Sequence, residues 1–220
     1  MDIITWTGTI KDEGSDPRTV FPDSIPLILL GIDTHPRKLA SVMGEGDWQI
    51  PLTEGWLVGA EALWASWFSP AGTLGTTLRL NPDAGISASL LWVSKEVLTK
   101  LQLGLPEYQL VELDSCRFSS IDGDLAVTSP KALIYLGGAL LIDGEPRAVA
   151  AVKSSGSHLH TAMLAEALIW IANHASQNGL PYDSPRLLVD KASQKAEDRK
   201  AINHMLQEIS SPPGIEAKAN

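Results

Sequence analysis

Apolar and polar positions follow two different periods in the first half of the chain. Residues 4–10 alternate between apolar residues and threonine, which predicts a half-buried strand. Residues 26–33 form a short apolar run closed by Asp33, which predicts a buried strand. Residues 53–68 place apolar side chains at helical spacing, so we expect a helix capped by Thr53.

The predicted helix over 53–68 contains three tryptophans: Trp56, Trp64 and Trp67. Because Leu57, Ala60, Leu63, Trp64 and Trp67 keep helical spacing, we expect the aromatic cluster to lie in the core. The alternative is an exposed docking surface, since tryptophan is a frequent anchor in protein interfaces. Further along, the Gly- and Pro-rich segment 69–89 predicts turns and short strands, and a short helix over 94–103 and a strand over 108–114 follow.

An Asp-Gly pair separates two apolar runs in the second half of the chain. The runs cover residues 132–142 and 147–153, and Asp143-Gly144 between them predicts a β-hairpin. A helix over 157–179 is expected next, with Ser157 as its N-cap.

The remaining elements complete a fold of mixed type. Residues 186–190 predict a short strand, and an amphipathic helix begins at Ser193. This order favours an α+β fold, a mixed sheet with an N-terminal strand-rich part and a C-terminal hairpin-helix-strand-helix unit. No Pro- or Gly-rich linker is long enough to indicate two domains. We therefore expect a single α+β domain over residues 1–209 and a flexible C-terminal tail over 210–220.

Charge and cysteine content narrow the function classes. The 220 residues carry a formal net charge of −9, which is spread over both halves without a basic cluster. Such a chain lacks the usual footprint of nucleic-acid binding and suits docking on a basic partner. A single cysteine, Cys116, excludes an intramolecular disulfide, and we expect it to be a buried, inert thiol. No stretch approaches the ~20 apolar residues of a membrane span, and no signal-peptide pattern is seen, so we expect a cytoplasmic protein without membrane contact.

Glu166 is the most unusual charged residue of the sequence. It stands in a segment, residues 159–172, that is otherwise apolar around nearly its whole circumference. A helix of this kind is normally buried, and a buried carboxylate must be paired, protonated or bound to a cation. We therefore expect Glu166 to be held away from water, and its basic partner would be Lys153, Arg147 or Arg186.

Four segments of the second half follow one another in a recognisable order: Asp122-Gly123, Gly138-Ala139-Leu140-Leu141, Glu166 and Asp190. This order resembles the first half of the ribonuclease H fold. The resemblance implies that Asp122, Glu166 and Asp190 are catalytic residues and metal ligands, gathering two Mg²⁺ or Mn²⁺ ions roughly 3.5–4 Å apart for phosphodiester hydrolysis. The alternative is that Asp122 and Asp190 are turn or capping residues and Glu166 forms an ion pair.

Two further patterns match only in part. Ala151-Val152-Lys153 stands where restriction-endonuclease-like folds have Glu-x-Lys, and the lysine alone matches. His158 and His160 could face one side of an extended segment and hold zinc, but no third ligand is fixed by spacing. A hydrogen-bonded histidine pair at a helix start is the simpler interpretation.

These patterns lead to two hypotheses from different classes. The first, which we prefer, is a non-catalytic cytoplasmic binding or accessory subunit without a cofactor. Its acidic, tryptophan-bearing surface would engage a protein partner or a second copy of the chain. The second is a divalent-metal-dependent nuclease that uses Asp122, Glu166 and Asp190, binds nucleic acid and needs Mg²⁺ or Mn²⁺. The sequence leaves open whether the protein is an enzyme.

Overall fold

The structure is a computed structural model that describes residues 2–5, 7–11, 16–20, 22–30, 36–70, 72–149 and 157–212. The side chains of residues 9–11, 19, 20, 36, 38 and 157–163 lie outside this description. The described strands are β1 (Asp2–Thr5), β2 (Gly8–Lys11), β3 (Ile25–Leu29), β4 (Gln49–Phe68), β5 (Leu74–Val93), β6 (Tyr108–Glu112), β7 (Arg117–Ser120), β8 (Ala126–Thr128), β9 (Lys131–Tyr135), β10 (Ala139–Ile142), β11 (Glu145–Pro146) and β12 (Ser210–Ser211). The described helices are α1 (Pro17–Val20), α2 (Pro36–Met43), α3 (Lys95–Gly104), α4 (Ser157–Gln177), α5 (Pro185–Gln194) and α6 (Ala196–Glu208).

The predicted α+β class with a mixed sheet is confirmed. Strand β9 runs parallel to β3, whereas β5 pairs with β3 in the antiparallel sense. The chain divides into two compact units, and the long strands β4 and β5 contribute to both. Unit 1 contains Met1–Ala60 and Leu80–Ile134, and unit 2 contains Glu61–Arg79 and Tyr135–Ile215.

Unit 1 is built on antiparallel strands around one apolar core. β1 pairs with β2 and with β4, and β7 pairs with β4 and with β8. Helices α2 and α3 cover part of this unit, and their buried apolar side chains join those of the strands. The cluster consists of Ile4, Leu27, Leu29, Leu39, Met43, Ile50, Leu52, Leu91, Val93, Leu98, Leu101 and Leu133.

Unit 2 places three helices against a second apolar core. β10 pairs with β4, β11 and β12, and α4 contributes one buried stripe at helical spacing, Ala167, Ile171 and Ala175. Two hydrogen bonds between the side chain of Asn203 and the backbone of Phe68 connect helix α6 to the end of β4. The backbone N–H of Phe68 donates to Asn203 Oδ1 at 2.8 Å, and Asn203 Nδ2 donates to the Phe68 carbonyl at 3.2 Å.

Several elements match their predictions. The buried strand near residues 26–33 is β3, the helix over 94–103 is α3 with Ser94 as its N-cap, and the strand at 108–114 is β6. The Asp-Gly hairpin is confirmed, since Ile142 faces Glu145 across a two-residue turn. Asp143 and Gly144 have φ angles of 54° and 84°, the left-handed conformations that such a turn requires.

The predicted helix over residues 53–68 is wrong, because these residues belong to β4, a strand of 20 residues. Gly55 explains part of the difference: a Cβ at this position would collide with the Ser119 carbonyl and the Phe118 ring, so the glycine permits close strand pairing. The segment 69–89, expected to form turns and short strands, is mostly β5, the second strand of 20 residues.

The predicted strand over 186–190 is also wrong, since this segment lies inside α5. Ser184 caps that helix by accepting a hydrogen bond from the Leu187 amide, and Pro185 follows at the first helical turn. Both residues are strong start signals for a helix, and they outweigh the short apolar run that follows.

At the N-terminus, the single strand expected over 4–10 is a hairpin of β1 and β2. At the other end, β12 pairs with β10, and the part of the predicted tail beyond residue 212 lies outside the described residues. None of the helices in the described ranges is long and apolar enough to cross a membrane.

Candidate functional site

Glu166 lies on the solvent-facing side of α4, and the expectation that it is held away from water is wrong. Its side chain is 61% exposed, and its Oε1 lies 3.3 Å from Arg147 Nη2. Glu166 directly precedes the buried stripe of α4, so the apolar sequence around it does not enclose it. Of the three basic partners considered from the sequence, Arg147 is the one that the structure places beside Glu166.

A second contact ties the same helix to the β10–β11 hairpin. Trp170 Nε1 donates to Asp143 Oδ1 at 3.2 Å, and the Trp170 ring stacks on His174 with 5.0 Å between ring centroids. The pair of Arg147 and Glu166 and the contact of Trp170 with Asp143 both connect α4 to the hairpin or to the residue that follows it.

The other two predicted site residues are also exposed. Asp122 lies in the turn between β7 and β8 in unit 1, whereas Asp190 lies within α5 in unit 2. Across the described residues, no group of three or more His, Cys, Asp or Glu side chains is arranged to hold a metal ion. The metal site of Asp122, Glu166 and Asp190 therefore stays a prediction from sequence. Lys153, and the side chains of His158 and His160, lie outside the part of the chain that is described.

The three tryptophans of β4 have different surroundings. Trp64 is buried at 2% exposure. Trp67 stacks on Tyr135 with 5.8 Å between ring centroids, and both belong to unit 2. Trp56 is only partly buried and stands in unit 1 on the strand segment that pairs with β7. Trp56 and Trp67 are therefore both partly exposed, and Trp56 is the one that neighbours β7.

Trp56 belongs to the middle one of three rows of side chains on one outer face of the sheet. Residues opposite each other in antiparallel strands share a face, so the register of β4, β7 and β8 defines the rows. We call this surface the Trp56 face. From one end to the other its rows are Glu54 and Ile121, then Trp56, Ser119 and Ala126, then Val58, Arg117 and Thr128.

Apolar side chains on this face are unusually open to solvent. Val58 is 49% exposed and Ile121 is 66% exposed, and Trp56 lies in the row between them. Scattered exposed apolar residues are normal, but large ones gathered around a tryptophan are typical of a docking surface.

The charges around the Trp56 face are mainly negative. Glu54 belongs to the first row, and Asp122 and Asp124 project from the adjoining β7–β8 turn, all three exposed. Arg117 is the basic member of the face. The surface around Trp56 is therefore mainly acidic.

The β7–β8 turn that carries the aspartates is held in one conformation by Ser120. The Ser120 amide donates to the Leu125 carbonyl at 2.8 Å, and Ser120 Oγ accepts from the Leu125 amide at 3.0 Å. Gly123 between the two aspartates has a φ of +77°, which glycine adopts without strain. The acidic side chains thus belong to a turn that is closed by two hydrogen bonds between Ser120 and Leu125.

Sequence reasoning missed Val58, Ile121 and Arg117 as members of a site. The signal was present in the alternation of Glu54, Trp56 and Val58 with buried residues, which has the period of a strand. The assignment of residues 53–68 to a helix concealed this period.

No protein-family model and no curated protein sequence matches the chain. The chain is distantly similar to several solved structures, including the two that follow. The solution structure of an Arabidopsis thaliana protein is 13% identical, with a TM-score of 0.41, over 72% of this chain and 95% of that one. A γ-glutamyl cyclotransferase is 12% identical, with a TM-score of 0.42, over 82% of this chain and 99% of that one. Similarity at this level does not assign the chain to a family.

Proposed function

We propose that this protein is a non-catalytic binding or accessory subunit that docks a basic protein partner on the Trp56 face. The observation that carries the proposal is the exposure of Val58 and Ile121 on either side of Trp56, next to exposed carboxylates. We also propose a cytoplasmic setting, which suits a chain whose single cysteine is a free, buried thiol.

The apolar part of the face supplies the affinity in this proposal. Burying a valine or isoleucine side chain completely is worth about 1.5–3 kcal/mol, and Val58 and Ile121 still have about half or more of that to gain. Trp56 would act as the anchor, because tryptophan is among the residues that contribute most to interface affinity.

The acidic part of the face supplies specificity. Glu54, Asp122 and Asp124 attract a basic partner and raise its association rate, an effect that salt weakens because the charges are exposed. The net charge of −9 acts in the same direction over longer distances.

A photo-crosslinking experiment in the source cells tests the proposal. The crosslinking residue p-benzoylphenylalanine replaces Val58 in one variant and Leu103 in a matched variant, since Leu103 is an apolar residue on α3 that is 77% exposed and lies outside the face. We expect a specific adduct from position 58 with a protein that contributes a basic segment. Identical adducts from both positions, or none from position 58, would contradict the proposal.

Affinity measurements with the purified partner complete the test. Trp56→Ala is expected to weaken binding by about tenfold or more, whereas Leu103→Ala leaves it unchanged. Neutralising both Asp122 and Asp124 to asparagine should weaken binding and flatten its dependence on salt. An unchanged dissociation constant for Trp56→Ala would remove the proposal.

A further inference from the structure

We infer that the partner docks by adding an extended, arginine- or lysine-bearing strand to the free edge of β8. This inference rests on the proposed function, and it specifies the chemistry of the partner segment. It follows from the hydrogen-bond pattern of β8, from the small side chains between β8 and Trp56, and from the charge of the neighbouring turn.

The backbone N–H and C=O groups of β8 alternate in direction along the strand. The Leu125 carbonyl accepts from the Ser120 amide on the β7 side, and the Ser129 amide donates to the Cys116 carbonyl at 3.0 Å. In an antiparallel ladder, alternate residues point their N–H and C=O groups at the same neighbour. The backbone groups of Ala126 and Thr128 therefore point away from β7.

The outward-pointing groups of Ala126 and Thr128 form the outer edge of β8. Among the described strands, β8 pairs with β7 alone, and both Ala126 and Thr128 are exposed. An edge strand with free N–H and C=O groups is a template for another strand. Ser129, with a φ of 50°, ends the strand, so the available edge is short and well defined.

Two small side chains separate Trp56 from the outer edge of β8. The row that contains Trp56 continues through Ser119 and Ala126, two small side chains, and then reaches the free edge. Neighbouring strands lie about 4.8 Å apart, so a residue of the added strand opposite Ala126 has its Cα about 10 Å from Ser119. The stem of an arginine or lysine can lie over Ala126 and Ser119, which points its charged end at the indole of Trp56.

The charge of the site decides between a basic segment and a second copy of this chain. A second copy carries the same net charge of −9, and repulsion between like-charged molecules opposes its approach to this acidic surface. A basic segment is attracted by the same aspartates. The structure therefore favours a different protein over self-association.

Synthetic peptides provide the test, with the full-length protein as receptor. The probe is a short peptide that alternates arginine with valine. One matched control replaces arginine by glutamate, and another carries N-methyl groups on the amides that would pair with β8. We expect the probe to bind, the glutamate peptide not to bind, and N-methylation to weaken binding by about tenfold, since the bonds to β8 are lost.

Amide hydrogen exchange reports strand addition directly. In the free protein the Ala126 and Thr128 amides should exchange rapidly, and the bound probe should slow their exchange at least tenfold. Ala126→Pro removes the outward amide and keeps the bonds to β7, because proline is tolerated where an edge strand faces solvent. This variant should lose probe binding at an unchanged melting temperature, and if it fails to fold, the N-methylated peptide gives the same information on the unmodified protein.

The possible failures are distinguishable. If Trp56→Ala abolishes probe binding while N-methylation and Ala126→Pro have no effect, the Trp56 face binds without strand addition, and only this inference is overturned. If the probe does not bind at all, the inference is also overturned, and crosslinking at position 58 still judges the proposed function. A dimer in sedimentation experiments that Ala126→Pro disrupts would assign the edge to a second copy instead.

Discussion

Arg147 Nη2 lies 3.3 Å from Glu166 Oε1, and the side chains of both residues are largely open to solvent. The carboxylate in the most apolar helix of the sequence is thus an exposed member of an ion pair between α4 and the residue that follows β11. Exposed pairs of this kind contribute about 0.2–1 kcal/mol, because solvent screens both charges.

We accordingly expect Glu166→Gln to have little effect on stability. The free energy of unfolding should fall by no more than about 1 kcal/mol, and the difference should shrink at high salt. Urea denaturation at low and high salt measures this. Arg147→Gln is the matched variant, and the double variant should lose no more than either single one if the pair is the only interaction affected. A loss several times larger would mean that Glu166 has a stronger partner.

Gly55→Ala should be strongly destabilising. Its Cβ would meet the Ser119 carbonyl and the Phe118 ring, so β4 and β7 would have to separate. We expect a cost of about 2–4 kcal/mol, in the range of severe overpacking. Gly46→Ala is the control, since the nearest atom to its Cβ would be Trp48 Cδ1 at 3.9 Å. Equal stability of the two variants in thermal denaturation would contradict the pairing of β4 with β7.

Asn203→Ala should destabilise unit 2 because it leaves both the amide and the carbonyl of Phe68 without their side-chain partner. A loss of about 1–3 kcal/mol is expected. Asn203→Asp is informative because it can still accept from the amide but cannot donate to the carbonyl. Asn173→Ala, on the exposed side of α4, serves as the control and should be nearly neutral. If Asn203→Ala and Asn173→Ala lower the free energy of unfolding equally, the hydrogen bonds between Asn203 and Phe68 are contradicted.

We expect the free energy of unfolding to fall at alkaline pH because of the raised pKa of Tyr182. Burial and the hydrogen bond that its hydroxyl donates to Asp198 raise the pKa of Tyr182 from 10.0 to about 12. The folded protein therefore keeps its proton at a pH where the unfolded chain loses it. The stabilisation is complete below pH 10 and is lost as the pH rises to about 12, up to about 2–3 kcal/mol in total.

The measurement for Tyr182 is the difference between two pH profiles. Tyr182→Phe should be less stable than the unmodified protein at neutral pH, because Asp198 loses its donor. The gap should narrow between pH 10 and pH 12. Parallel profiles would mean that Tyr182 titrates normally in the folded state.

Local signals in the sequence predicted some elements well. The Asp143-Gly144 turn and the Ser94 cap depend on interactions within a few residues, so they are visible before folding. Ser184 and Pro185 are equally local signals for α5, whereas the prediction of a strand over 186–190 depended on the apolar run after them. For α3 and α5, the capping residue predicts the helix correctly, whereas Thr53 shows that a capping residue alone is not sufficient.

The candidate site could not be predicted from the sequence because it depends on strand pairing. Val58 and Arg117 are far apart along the chain and become neighbours through the register of β4 and β7. Glu166 could not be placed from its sequence neighbours either. Those neighbours are apolar and suggested burial, but the residues of α4 that contact the core determine which side of the helix is exposed.

The interleaving of the two compact units affects how the protein is made. Unit 1 lacks the second half of its residues until translation has passed Ile134, and unit 2 is started by Glu61–Arg79 and completed only afterwards. A nascent chain that ends before Ile134 contains neither unit in complete form, so its unpaired strand edges remain open to chaperones on the ribosome. For the same reason, a chain truncated at one point that keeps both of these segments of one unit also carries part of the other unit.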